Sequence, residues 1–198
     1  MTDTHEHHEH QAPISYEAAV RRFRVDKDAF FGSSHASPIP AGERATFTGL
    51  PYYPVDPALR FEDLTLEPYT GDEPARFAML TSDGQLRPAA RAGVLRFPFE
   101  GADRTLTAYT FEGDEGDEGG ELFVPFADAT SGSETYGAGR YLDVEPEEDG
   151  TYVLDFNLAY HPYCVYNENY SCPLTPAENR LPIRIEAGER LPEDPGAH

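Results

Sequence analysis

"GVLRFPFEGADRTLTAYTFE" (93–112) is the stretch that decides the fold. Apolar and polar residues alternate on both sides of Gly101, the period of a half-buried strand, so the segment reads as a hairpin turning at that glycine. Upstream, "RFEDLTLEPY" (60–69) alternates in the same way and reads as a strand. Downstream, "GDEGDEGG" (113–120) is an acidic glycine turn without the ligand spacing of an EF-hand loop. "ELFVPF" (121–126) is a short buried strand, and "GRYLDVEPEEDGTYVLDFN" (139–157) is a second hairpin. "LPIRIEAGE" (181–189) is read as a final strand.

A single helical segment precedes this β text. In "SYEAAVRRFRVDKDAFF" (15–31), Ser15 is placed to cap the first turn and Gly32 to end the last. Tyr16, Ala19, Val20 and Phe23 form an apolar stripe at helical spacing that is expected to face the core. The prolines of "GLPYYPVDPALRF" (49–61) forbid a central strand there. The fold class is therefore mostly β: a single-domain β-sandwich or barrel with one N-terminal helix. The organisation is a disordered His-rich leader at 1–14, one mostly-β domain at 15–190 and a flexible tail at 191–198. The leader's histidines can bind metal or form a solvated arm.

The charge balance narrows the setting. Asp and Glu number 36 against 15 Lys and Arg, a formal net charge of −21, and Lys27 is the only lysine. Such a surface repels itself in dilute buffer but is screened over about 3 Å at 1 M salt. The composition reads as that of a halophile's cytoplasmic protein, with an acidic protein that binds cations or basic partners as the alternative. Nucleic acid is excluded as a partner by the lack of a basic stripe. No apolar run is long enough for a membrane span, and the N-terminal residues lack the apolar stretch of a signal peptide.

Two polar blocks hold the candidate functional residues. "FADATSGSETYGAGRYLD" (126–143) supplies Asp128, Thr130, Glu134, Tyr136, Arg140 and Tyr141. "DFNLAYHPYCVYNENYSCPLTPAEN" (155–179) supplies Asp155, Asn157, Tyr160, Tyr163 and both cysteines. A four-residue turn in the second hairpin sets Arg140 opposite Asp155, either as an ion pair fixing the register or as part of a ligand site. Asp128, Glu134 and Asp155 are candidate acid/base carboxylates, with Arg140 as an anion clamp; loop anchoring is the competing role. Neither block contains the nucleophile elbow of a serine hydrolase. His161, Cys164 and Cys172 are candidate metal ligands, although they lack the usual zinc spacing and number only three. A disulfide across the short loop is geometrically possible, but a reducing cytosol argues against it, and the cysteines read as two buried thiols packing as small hydrophobes. Tyr160, Tyr163, Tyr166 and Tyr170, stiffened by nearby prolines, can line a pocket for a small polar molecule. No cofactor is strongly implied, and neither the reaction nor the oligomeric state is encoded in any motif.

"LFVPFADATSGSETYGAGRYLDV", "LDFNLAYHPYCVYNENYSCPLTPAENRLPI" and "FTGLPYYPVDPALRF" resemble the domain-of-unknown-function family numbered sixteen-eighty-four. The resemblance covers most of the chain after residue 15 and implies no established activity. By motif match its signature positions include Asp128, Thr130, Thr135, Tyr136, Arg140, Tyr141, Asp155, Asn157, Tyr160, Cys164, Cys172 and Asn179. Asn179 joins the candidate ligand-binding residues on this ground, beside Thr130. Members commonly carry Asn-Pro where this chain has His161-Pro162, so the family pattern does not supply His161 as a ligand. Many members also carry a longer N-terminal β region that this chain is expected to lack.

Overall fold

The hairpin around Gly101 forms as expected, and the rest of the sheet is built on it. In the computed structural model, which describes residues 14–111 and 120–192, strand β4 spans Leu86–Phe99 and β5 spans Ala102–Phe111. Phe99 faces Ala102, and the two turn residues, Glu100 and Gly101, have φ of 51° and 73°. A two-residue turn with both φ positive has the twist that antiparallel strands need. The expected leader and tail lie outside the described residues except for Ile14, Leu191 and Pro192. So does the acidic turn at 113–120, except for Gly120.

The protein is mostly β, with antiparallel ladders and one N-terminal helix. Helix α1 (Tyr16–Ser33) is capped by Ser15, whose hydroxyl accepts from the Ala18 amide, and it runs one residue past Gly32. The face at Val20, Arg24, Lys27 and Phe31 turns inward, with Val20 and Phe31 buried. Phe23, expected on the core stripe, is instead 45% exposed, because it lies off that i, i+4, i+7, i+11 line.

The segment at 60–69 splits into β1 (Arg60–Leu64) and β2 (Leu66–Glu67). Asp63, at a φ of 57°, breaks the run, so β1 leaves to pair with β8 (Tyr152–Asp155) while β2 pairs with β4. A strand that the sequence reading did not place, β3 (Arg76–Leu80), covers the other half of the same β4 edge. Beyond β5 come β6 (Leu122–Phe126) and β7 (Arg140–Val144), giving a six-stranded sheet beside the two-stranded β1–β8 sheet. The main core gathers Leu95, Phe97, Leu106, Val124, Phe126, Leu142, Leu154 and Phe156 with Ile183 and Ile185.

Two expectations are corrected here. The second hairpin closes only at its tip, where Pro146 bridges Tyr152; its arms then separate, β7 to β6 and β8 to β1. Arg140 therefore does not face Asp155, whose cross-strand partner is Arg60. The stretch at 181–189 is not a strand, although Leu181, Ile183, Ile185 and Ala187 alternate inward as one would. The backbone there is bonded partly to scattered backbone groups of Ala127, Ala129, Tyr53 and Ala159 and partly to buried side chains, without a continuous neighbouring strand.

Candidate functional site

Arg140 explains the missing strand. Gly139, at a φ of +101°, brings β7 in so tightly that an added Cβ would meet the Phe126 carbonyl oxygen at 2.4 Å. The next residue, Arg140, is completely buried. Its guanidinium donates to the carbonyls of Ala187, Glu189 (3.1 Å) and Ile185 (2.8 Å), and lies 3.5 Å from Asp128. Asp128 in turn accepts the Ile185 amide (2.7 Å) and the hydroxyls of Thr130 and Ser131. Thr130 and Thr135, both buried, share a hydroxyl–hydroxyl bond of 2.9 Å. One Arg–Asp couple thus does for 185–189 what a ladder would do elsewhere. Burial lowers the Arg140 pKa, and the charge of Asp128 opposes that shift.

Asp155 and Asn157 form a second buried knot at the end of β8. The Tyr16 hydroxyl lies 2.9 Å from both Asp155 oxygens and accepts from Asn157 Nδ2 at 2.8 Å. Asn157 also grips the Asp56 backbone through both its amide atoms, at 2.8 Å each. The phenol's pKa is raised by burial and then by the Asp155 carboxylate. These bonds fasten α1 to the β1–β8 sheet. Tyr16→Phe is expected to lower stability by about 1–2 kcal/mol, because a buried carboxylate loses one of its donors, keeping those of Asn157. Urea unfolding measures this; an unchanged midpoint would mean that Asp155 does not hold the helix. Asn179 works in the same manner on the sheet, accepting from the Thr107 amide and donating to the carbonyls of Thr107 and Pro125.

A third knot centres on Glu189, which is 1% exposed. Lys27 Nζ lies 2.5 Å from one oxygen; the His161 amide (2.7 Å) and the Tyr166 hydroxyl (3.1 Å) donate to the other. His161 Nε2 accepts the Tyr136 amide at 3.2 Å, and burial pushes the imidazole down to about 3, so it is neutral. Its ring is thereby committed away from the cysteines. Among the described residues, no group of three or more His, Cys, Asp or Glu is placed to hold a metal ion. The expected ligand set of His161, Cys164 and Cys172 is therefore not assembled. Glu134 accepts from Tyr53 (2.9 Å) and Arg184 (2.5 Å), which together draw its pKa down.

The open site lies between α1 and the 160–173 loop. A cleft of about 710 Å³ is lined by Phe23, Lys27 and Phe30 of the helix, by Phe123, Tyr141 and Asp143 of the sheet, and by Tyr160, Tyr163 and Cys172 of the loop, among others. Its rings meet edge to face: Phe123–Tyr141 at 4.7 Å, Tyr141–Tyr160 at 5.7 Å and Tyr163–Tyr170 at 5.3 Å. Lys27 Nζ sits 4.7 Å from the Tyr160 ring centre and 5.5 Å from that of Phe31. The Tyr160 hydroxyl donates to Asp143 at 2.7 Å. The protein packed around the cleft raises Asp143, and Glu121 is raised by burial and then by the neighbouring charges of Asp143 and Glu145. Of the residues expected to bind ligand, Tyr141, Tyr160 and Tyr163 come together here; Thr130, Arg140, Asn157 and Asn179 lie in the buried knots. Tyr136 stands between the regions, with its hydroxyl 4.0 Å from Cys164 Sγ. Sequence reasoning missed Asp143, Glu189 and the placement of Lys27. The one signal for Lys27 was its being the chain's sole lysine.

Fold and site together define an antiparallel β protein whose polar motif residues are spent largely on internal knots beside an aromatic cleft. The chain belongs to the family described as "Protein of unknown function (DUF1684)", whose model matches residues 45–190. It is similar to an uncharacterized protein of Haloarcula marismortui solved in solution by NMR. The two share 39% identity over 89% of this chain and 94% of that one, with a TM-score of 0.65. No curated protein matches the chain. No helix of the described residues is long and apolar enough to cross a membrane.

Proposed function

We propose that the protein binds a small organic cation in the cleft between α1 and the 160–173 loop. The observation that carries this reading is the placing of two solvent-exposed carboxylates, Asp143 and Glu121, on the lining of an aromatic cleft, where the charge of Asp143 adds to the upward shift of Glu121. Of the nearby cations, Lys27 is paired with Glu189 while its charge also partly offsets the rise at Asp143, and Arg87 lies over the Phe111 ring at 3.8 Å. A bound cation relieves the carboxylates and faces the negative side of the rings. The net charge of −21 gives the surrounding field the same preference. An anion clamp at Arg140 has no place in this reading, since its guanidinium is buried against the chain's own carbonyls and Asp128. For Arg140, Asp128, Asp155, Asn157 and Asn179, burial and internal hydrogen bonding favour the competing role of holding the fold. The acidic surface suits a concentrated-salt cytoplasm, and the relative solved by NMR comes from a halophile.

Choline and its neutral isostere 3,3-dimethylbutanol separate charge from shape. At constant salt, titration followed by NMR is expected to show choline binding about tenfold tighter. Phe123→Ala and Tyr160→Leu should weaken both. Equal affinity for the two probes removes the cationic preference. If neither probe shifts cleft resonances, the binding reading itself falls.

A further inference from the structure

The two cysteines are eight residues apart in sequence and meet in the fold. The Cys164 amide donates to Cys172 Sγ at 3.3 Å, so the two backbones lie within one side chain's reach of each other. Both thiols are free. Their surroundings are polar, unlike those of thiols packed as small hydrophobes. Cys164 Sγ lies 4.0 Å from the Tyr136 hydroxyl, and Cys172 is pinned to the turn after β3 by bonds in both directions. Its amide donates to Ser82 Oγ at 3.0 Å, and its carbonyl accepts the Ser82 amide at 2.8 Å. Cys164 is half-buried and reachable, whereas Cys172 is buried and lies at the wall of the cleft beside Tyr141 and Pro173.

We propose that Cys164 and Cys172 form a redox-active dithiol that exchanges with small disulfides, with Cys164 attacking and Cys172 resolving. The Cys164 thiolate attacks one sulfur of a small disulfide, forming a mixed disulfide and releasing one thiolate, which takes up a proton. Cys172 then loses its proton and attacks Cys164 Sγ; the mixed bond breaks and the second small thiol leaves. The net change is two protein thiols oxidised to one internal disulfide and one small disulfide reduced to two thiols. The environment divides the roles. Contacts to Cys172, Ser82 and Tyr136 draw Cys164 down to about 6, while Cys172 is pushed up by its neighbour and by burial. The lower thiol is the nucleophile at neutral pH, and the protonated one waits for the mixed disulfide. This assignment is independent of what the cleft binds.

The test uses the full chain, reduced and then exposed to hydroxyethyl disulfide in concentrated KCl. Intact mass should show a single transient adduct that resolves to a protein two hydrogens lighter than the reduced form. Cys172→Ser should stop at the adduct, mapped to Cys164, and Cys164→Ser should react at least about tenfold more slowly. The rate should rise with pH through a midpoint below that of an ordinary thiol. Stable adducts on both cysteines without closure overturn the proposal, and so does a wild-type rate no faster than that of Cys164→Ser. The wild-type measurement alone decides closure if a variant fails to fold.

Discussion

Arg140→Leu is expected to destabilise the protein by about 3–5 kcal/mol, the usual cost of leaving one partner of a buried charge pair behind. The loss has two sources. Asp128 keeps its buried charge without the guanidinium 3.5 Å away, and the carbonyls of Ile185, Ala187 and Glu189 lose donors that no strand replaces. Against a typical domain stability of about 5–15 kcal/mol this is a large fraction. Arg140→Lys should recover little, because one ammonium cannot span three carbonyls and a carboxylate as a planar fork does. Adding Asp128→Asn to Arg140→Leu should return part of the loss by removing the stranded charge. Urea unfolding in concentrated salt reads all three. A cost below about 1 kcal/mol would mean that the 185–189 segment is held by its apolar contacts and its remaining backbone hydrogen bonds without Arg140.

The same residue marks the border of what could be read from the sequence. Elements that satisfy themselves locally were legible: the 93–112 hairpin through its turn, and α1 through its Ser15 cap. The arms of the 139–157 hairpin carry strand periodicity whichever partner they take, so their divergence to β6 and β1 leaves no trace in the alternation. At 181–189 the inward alternation was real but the ladder was not, since Arg140 and Asp128, more than forty residues away, bond that backbone. Strand β3 went unread because it is only five residues long and lies between Gly- and Pro-bearing turns. At the site, Tyr141, Tyr160 and Tyr163 stood out as a tyrosine-rich wall. Asp143 was hidden as one more acid in an acidic chain, and it gains meaning only from Tyr160 and Glu121 on the segments beside β7. Most of the conspicuous polar motif is engaged in hydrogen bonds within the buried knots, and internal hydrogen bonding uses the same residue types that chemistry does.

The fold itself is expected to depend on salt. Of the 15 Lys and Arg, at least Lys27, Arg91 and Arg140 are drawn into internal pairs, with side-chain exposures of 14%, 5% and 0%. Each pair withdraws one acid with its cation, so the remaining surface keeps the full net charge of −21 with fewer cations to offset it locally. Asp72 and Glu73 crowd one loop, and Glu147, Glu148 and Asp149 crowd the β7–β8 tip, all exposed. At 0.01 M ionic strength such charges interact over about 30 Å, the scale of the whole domain, while at 1 M the range is about 3 Å. Unfolding separates the charges, so repulsion favours the open chain when it is unscreened. Raising KCl from 0.05 M to 3 M is expected to raise the melting temperature by at least about 10 °C, roughly 3 kcal/mol for a chain of this size. Changing Asp72, Glu73, Glu147 and Glu148 to lysine should flatten that dependence without touching the core. Equal stability at both salt concentrations would refute self-repulsion as the controlling force. A charge-reduced variant that kept the full dependence would instead assign the effect to strengthened apolar burial.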